Sequence, residues 1–222
     1  MKILMLGAGG VGGYFGAWLH EIGGDVTFLV RPKRAEILSQ QGLIVETPSQ
    51  TIRIQPQLVT KDKLQHRYDL VMLSPKAYDL EDALETVREV PGNPLYLPLL
   101  NGFDHLKRMD DEFGRERVMG GVAHIAAELT DKGIVRQLNA LHRITFGIRH
   151  ACQEPLAAKL AKLTDQAAFD NVYSEDIEQS LWDKWSRITE KVSGGTKPKC
   201  PTSPKIIMIC SKKRRVYMTG YM

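Results

Sequence analysis

Gly7, Gly9 and Gly12 form a G-x-G-x-x-G pattern close to the amino terminus. Gly7 allows a tight turn after an apolar strand, and Gly12 allows the helix that follows to pack closely on that strand. Gly9 has no Cβ, so a pyrophosphate can approach the backbone and meet the free N–H groups at the positive end of the helix. The alternative is an ordinary strand–turn–helix without a bound phosphate. The pattern predicts that the loop binds a dinucleotide through six residues: Gly7, Ala8, Gly9, Gly10, Val11 and Gly12.

A cation follows the second predicted strand, at the position that usually selects the dinucleotide. NAD-binding proteins place a carboxylate there for the adenosine ribose, whereas this chain has Arg31, followed by Lys33 and Arg34. A guanidinium can pair bidentately with a 2′-phosphate. NADP(H) is therefore the expected cofactor, and a solvated basic loop is the alternative.

Strands and helices must alternate to position these residues. Apolar runs predict strands at 26–30, 43–46, 52–54, 70–73, 95–100, 118–126, 133–137 and 143–147, and helices near 33–41, 80–88 and 155–163. This order predicts an α/β fold, a Rossmann-type doubly wound sheet, over residues 1–166. Ligands of such sheets lie beyond the carboxyl ends of the strands. Lys76 and Asn101, which follow two of those strands, are therefore expected beside the cofactor.

The composition excludes several other classes of protein. With 43% hydrophobic and 25% charged residues, the chain is expected to be a soluble globular protein. It has no apolar run of the ~20 residues that span a bilayer, and its first residues do not resemble a signal peptide. Three cysteines without C-x-x-C spacing and six scattered histidines predict neither a disulfide framework nor a metal site. A reducing cytoplasm is the expected location.

The positive charge is concentrated at one end. Residues 1–184 carry 21 lysines and arginines against 25 acidic residues, whereas residues 185–222 carry 9 against 1. The last segment is rich in Gly, Pro, Ser and cations, and only the run 206–209 is suited to a core. We predict a disordered basic tail over residues 193–222, and a solvated end is favoured over a site for nucleic acid.

Several motifs together resemble the ketopantoate reductases, also called 2-dehydropantoate 2-reductases. They occur in the family's order across residues 1–184 and comprise the glycine loop, Arg31, Lys76–Asp79, Leu99–Gly102, the segment from Gly120 to Glu128, and Leu181–Lys184. The resemblance implies NADPH-dependent reduction of 2-dehydropantoate to pantoate, a step toward pantothenate. It also implies a Rossmann domain followed by a helical domain, with the active site between them.

The resemblance assigns catalysis to Lys184 and Asn101, and a place near the cofactor to Lys76. Reduction of a ketone leaves negative charge on its oxygen, so a cation or proton donor is needed there. Lys184 lies at the edge of an apolar helical stripe, from which it can reach a cleft, but an ordinary surface lysine can lie there too. Asn101-Gly102 is also a common turn, and a lysine after Pro75 is unremarkable. His124 has no partner that the sequence identifies, and we expect it to be structural.

The chain departs from the family beyond Lys184. Ile188 and Val192 stand where some members carry asparagines that contact substrate, and the basic tail replaces the later helices of the family. Residues 167–192 are therefore expected to begin a truncated helical domain. Its apolar stripe, Ile177, Leu181, Trp185 and Ile188, would be exposed and would favour association between copies.

Two readings of function follow from the sequence. The first is an enzyme that reduces 2-dehydropantoate or a related small 2-keto acid. The second is an NADP-binding module that has lost turnover. A nucleotide-regulated protein whose basic tail binds nucleic acid is a weaker third reading.

Overall fold

The computed structural model describes residues 1–193, 206–210 and 215–219. The strands are β1 (Lys2–Leu6), β2 (Asp25–Leu29), β3 (Leu43–Glu46), β4 (Thr51–Ile54), β5 (Gln57–Val59), β6 (Leu70–Leu73), β7 (Leu95–Pro98), β8 (Gly120–Leu129), β9 (Val135–Gly147), β10 (Asp170–Tyr173), β11 (Ile206–Cys210) and β12 (Arg215–Thr219). The helices are α1 (Gly10–Glu21), α2 (Pro32–Gln41), α3 (Leu80–Arg88), α4 (Asp104–Phe113), α5 (Glu154–Thr164) and α6 (Ile177–Ser193).

Five strands form a parallel sheet in the order β5-β2-β1-β6-β7. Its central strands are apolar on both faces, and Ile3, Leu4 and Met5 are fully buried, as are all four residues of β6. Strands of parallel sheets have such continuous apolar sequences because both faces of the sheet are covered. The α/β Rossmann-type fold predicted from the sequence is confirmed.

The sequence analysis expected the remaining strands of residues 1–193 to extend that sheet. They form a second sheet instead. Its order is β10-β9-β3-β4, and β8 pairs antiparallel with β9. The separate strands predicted at 133–137 and 143–147 are one strand, β9, of 13 residues. Helix α1 contacts both sheets: an added Cβ at Gly16 would lie 2.6 Å from Phe28 of β2, and one at Gly13 would lie 2.8 Å from Val135 of β9. The second sheet therefore lies directly against the helix that carries the glycine loop.

Helix α6 packs on this two-sheet body, so the prediction of an exposed apolar stripe is wrong. Ile177, Leu181 and Trp185 are 2%, 2% and 7% exposed. Ile177 lies against the backbone of Gly120 and Gly147, where an added Cβ would come within 3.0 Å of its side chain. Strands β8 and β9 and the loop at Gly102 thus cover much of the stripe that the sequence analysis assigned to a missing domain. The expectation of association between copies loses that basis.

A buried arginine fixes the start of α6. The Arg149 side chain is 4% exposed and donates to both carboxylate oxygens of Asp110 on α4, each at 2.7 Å. It also donates to Glu178 in the first turn of α6 at 3.1 Å. A buried charge that is paired on two sides positions its partners precisely. α6 is therefore held in register against α4.

Two predicted units remain predictions. Strand β10, which follows the predicted domain boundary at residue 167, pairs in parallel with β9. Of the predicted tail beyond Ser193, the structure describes only β11 and β12, which pair antiparallel. Residues 194–205, 211–214 and 220–222, with most of the basic cluster, lie outside the described residues.

Candidate active site

The glycine loop joins β1 to α1 at the carboxyl edge of the parallel sheet. Gly7 has φ +86°, a conformation that favours glycine, and its N–H bonds the carbonyl of Leu29 at 2.8 Å. Gly9 caps α1, and its carbonyl accepts from the N–H of Gly13 at 2.7 Å. The amides of residues 10–12 precede that first helical bond and point out of the helix end. The loop therefore offers N–H donors at a positive helix end, as an anion requires.

The space around the glycines fits a bound pyrophosphate. A Cβ added at Gly12 would lie 2.6 Å from the carbonyl oxygen of Gly7, so packing within the protein requires glycine there. A Cβ added at Gly9 would meet no atom within 4 Å. Open space at Gly9, beside outward-facing amides, is where a pyrophosphate would approach the backbone.

The two arginines after β2 have different surroundings. Arg31 precedes α2, its side chain is 81% exposed, and its Nη2 lies 3.2 Å from Oδ2 of Asp82. Arg34 is half-buried and donates to the carbonyls of Ala8, at 3.1 Å, and Gly133, at 3.0 Å; burial lowers its pKa. Arg34 therefore ties the glycine loop to the β8–β9 turn, whereas Arg31 and Lys33 are exposed to solvent.

One cavity of about 320 Å³ brings the predicted residues together. Its wall includes Val11 of the glycine loop, Asn101 after β7 and Lys184 on α6. Its other lining residues are Leu99, Ala123, His124, Ile125, Ala126, Asn139, Leu141 and Ile188. Lys76 is not among them: it is exposed, and its Nζ lies 5.7 Å from the centroid of the Tyr78 ring. The lining combines apolar side chains with four polar ones, Asn101, His124, Asn139 and Lys184, so the cavity can both enclose a small molecule and orient it through hydrogen bonds.

Lys184 enters the cavity from a largely buried position. Its Nζ donates a hydrogen bond to the main-chain carbonyl of Ala123 on β8. Burial lowers its pKa from 10.5 to about 8, because the charged ammonium loses hydration. Lys184 thus holds a proton at neutral pH and releases it more readily than a solvated lysine.

His124 is a cavity residue that the sequence analysis treated as structural. Its Nε2 lies 3.5 Å from Oγ1 of Thr145. Burial first, and then the positive charges of Lys184, Arg143 and Arg187, lower its pKa to about 4. The imidazole beside Lys184 is therefore neutral at physiological pH. Only the pairing of β8 with β9 and the packing of α6 bring it there, and no local motif signals this.

Ile188 fills the position where the sequence analysis noted the loss of an asparagine. It lines the cavity one helical turn beyond Lys184. Ile125 and Leu141 add further apolar surface from β8 and β9. The side chain of Val192, the second such position, lies outside the described part of the chain.

No helix among the described residues is long and apolar enough to cross a membrane. Within the same residues, no group of three or more His, Cys, Asp or Glu side chains could hold a metal ion.

Comparison with known proteins gives a consistent family. The family model for ketopantoate reductase PanE/ApbA matches residues 3–150. The Bacillus subtilis protein YkpB, named an uncharacterized oxidoreductase, is 34% identical over 205 residues, which are 92% of this chain and 67% of YkpB. The 2-dehydropantoate 2-reductase of Pyrococcus horikoshii is 30% identical over 135 residues, 61% of this chain and 44% of that protein.

Solved structures share the fold. The 2-dehydropantoate 2-reductase from Geobacter metallireducens has a TM-score of 0.74 and 28% identity, and the match covers 83% of this chain and 61% of that one. A D-mandelate dehydrogenase solved with NADH and anilino(oxo)acetate also has a TM-score of 0.74, at 24% identity and with 83% and 60% covered. The chain thus spans between about half and two thirds of the length of these relatives. On the extent of the family match and the identity to YkpB, the chain belongs to the ketopantoate reductase family of oxidoreductases.

Proposed function

We propose that the chain forms the nucleotide-binding part and the lysine-bearing wall of an NADP(H)-dependent 2-keto acid reductase. The substrate class is 2-dehydropantoate or a related 2-keto acid. The proposed role is in pantothenate-type metabolism, and the proposed location is the cytoplasm. One observation carries this proposal: Val11 of the glycine loop, Asn101 and Lys184 line the same cavity. Membership of the ketopantoate reductase family supports the same chemistry.

The chain's own residues supply what ketone reduction needs besides a hydride. NADPH, when bound, supplies the hydride. Negative charge then develops on the substrate's carbonyl oxygen, and the Lys184 ammonium can stabilise it and transfer a proton to it. The amide of Asn101, at the end of β7, can donate a hydrogen bond in the same cavity. A pKa near 8 suits a group that must be protonated at neutral pH and still give its proton away.

Arg31 is the residue proposed to select NADP(H). It is an exposed guanidinium directly after β2, whereas Arg34 is committed to two main-chain carbonyls. Titration of nucleotide fluorescence with NADPH and NADH tests this directly. Arg31→Ala is expected to weaken NADPH binding about tenfold and NADH binding little, because it removes a charged hydrogen bond to the 2′-phosphate. Equal losses for both nucleotides would overturn the assignment.

The second candidate is an NADP-binding module without turnover. Ile188 favours this interpretation, because it lines the cavity one helical turn beyond Lys184 and offers no hydrogen bond to a polar substrate. Adding 2-dehydropantoate to the NADPH complex separates the two candidates. Oxidation of NADPH supports the enzyme, and nucleotide binding without oxidation supports the module.

A further inference from the structure

The proposed cofactor-selecting arginine already has an acidic partner. Nη2 of Arg31 donates to Oδ2 of Asp82 at 3.2 Å. The two residues are 51 positions apart and belong to different elements, since Arg31 follows β2 and Asp82 lies in the first turn of α3. The contact is therefore created by the fold and not by local sequence.

The pair lies beside the glycine loop. Strand β1, which ends in the loop, is flanked by β2 on one side and β6 on the other. Arg31 follows the first neighbour, and α3 follows the second. The ion pair thus spans the carboxyl edge of the sheet next to β1, where the adenosine half of a dinucleotide lies in such folds.

The charge on Asp82 affects the two nucleotides differently. A 2′-phosphate carries close to two negative charges at pH 7, whereas a ribose 2′-hydroxyl carries none. To reach Arg31, the phosphate must come close to the Asp82 carboxylate and compete with it for the same guanidinium. NADH meets neither cost.

We propose that Asp82 is a specificity-determining residue that limits the preference of this site for NADP(H) over NAD(H). This inference rests on the proposed binding of a nicotinamide dinucleotide at the glycine loop. The carboxylate partly neutralises the charge of Arg31, so the site retains affinity for NADH despite the cation after β2.

The expected size of the effect follows from exposure. The side chains of Arg31 and Asp82 are 81% and 68% exposed, and exposed ion pairs contribute only a fraction of a kcal/mol up to about 1 kcal/mol. Removing the Asp82 charge should therefore raise the NADPH/NADH affinity ratio by about two- to fivefold. The gain should shrink at high salt, because solvent-exposed charges are screened.

The test is a fluorescence titration of the full chain with NADPH and with NADH at low and high salt. Three proteins are compared: the unaltered chain, Asp82→Asn and Asp111→Asn. Asp111 is a matched control, because it also forms an exposed ion pair, with Lys107 at 3.0 Å. It lies in the last turn of α4, at the opposite end of that helix from the turn that follows β7. Asp82→Asn keeps the size of the side chain and removes the charge.

A two- to fivefold rise in the NADPH/NADH affinity ratio for Asp82→Asn, absent in Asp111→Asn and reduced by salt, is the expected result. An unchanged ratio while both nucleotides bind overturns the role of Asp82 and leaves the proposed function standing. An equal rise of the affinity ratio in Asp111→Asn would show that the effect comes from the net charge of the chain, and it also overturns the role of Asp82. Binding of NADPH with no detectable binding of NADH to the unaltered chain also overturns the inference and leaves the proposed function standing. Failure of both nucleotides to bind the unaltered chain rejects the proposed function, and the inference falls with it.

Discussion

Lys184 on α6 donates a hydrogen bond to the main-chain carbonyl of Ala123 on β8. The bond joins the last described helix to the second sheet, and that sheet lies against the helix that carries the glycine loop. A charged group tied to the backbone in this way has little freedom to move. The fold of residues 1–193 thus holds the lysine beside the loop.

Burial of Lys184 predicts a stability that rises with pH between about 8 and 10.5. Its pKa is lower in the folded chain than in the unfolded chain, so the unfolded state binds more protons in this window. Below pH 8 the folded state bears the full cost of the buried charge. Lys184→Met should remove this dependence, which chemical unfolding at several pH values measures. Lys159→Met is the control, because Lys159 is an exposed lysine on α5. Its unfolding free energy should depend on pH as that of the unaltered chain does.

Two histidines, the buried His105 and the half-buried His124, predict loss of stability in acid. Burial lowers the pKa of His105 to about 3 and that of His124 to about 4, so both are neutral in the folded chain. The unfolded chain takes up these protons as pH falls through 6.5, and each pKa unit of difference costs about 1.4 kcal/mol. The unfolding free energy should fall between pH 6.5 and 4. His124→Asn should flatten this decline, and an unaltered acid slope in that variant would contradict the burial of the imidazole.

The glycines of the loop should respond differently to alanine. Gly12→Ala places a Cβ 2.6 Å from the Gly7 carbonyl oxygen and should destabilise the chain by about 1–3 kcal/mol. Gly9→Ala adds a Cβ that meets no protein atom within 4 Å, so its melting temperature should stay near that of the unaltered chain. Its affinity for NADPH should still fall at least tenfold, because the Cβ occupies space for the pyrophosphate. Unchanged NADPH affinity in a folded Gly9→Ala chain would place the nucleotide elsewhere.

Arg34 should affect both nucleotides alike. Its guanidinium holds the carbonyls of Ala8 and Gly133, and loss of these half-buried hydrogen bonds should cost about 1–3 kcal/mol of stability. Arg34→Ala should weaken NADPH and NADH by similar factors, since it loosens the loop and removes no contact to the 2′-phosphate. A loss confined to NADPH would show instead that Arg34 reads the phosphate.

The sequence predicted best what local patterns determine. The glycine loop, β6 at Leu70–Leu73 and α3 at Leu80–Arg88 lie where the sequence analysis placed them. Helix α4 was missed, although Leu106, Met109 and Phe113 are buried at helical spacing, because many charged residues separate them. Strands β5 and β10, of three and four residues, are too short to give a clear period.

Long-range pairing could not be predicted in the same way. Nothing local in β8 indicates that its antiparallel pairing with β9 and the packing of α6 bring His124 beside Lys184. The apolar stripe of α6 was predicted to be exposed because a later domain was expected to cover it. In the structure, Gly120 and Gly147 on the strands leave space for Ile177. Likewise, the Arg31–Asp82 pair forms only when β2 and β6 flank β1.

The most direct test of the account is the rate of NADPH oxidation with 2-dehydropantoate, measured by absorbance for the unaltered chain, Lys184→Met and Lys159→Met. We expect turnover in the unaltered chain and in Lys159→Met, with a loss of at least a hundredfold in Lys184→Met while its NADPH affinity is unchanged. The rate should also decline as pH rises through about 8, where Lys184 loses its proton. Equal turnover in Lys184→Met and the unaltered chain would contradict the claim that this lysine and the glycine loop form one active site.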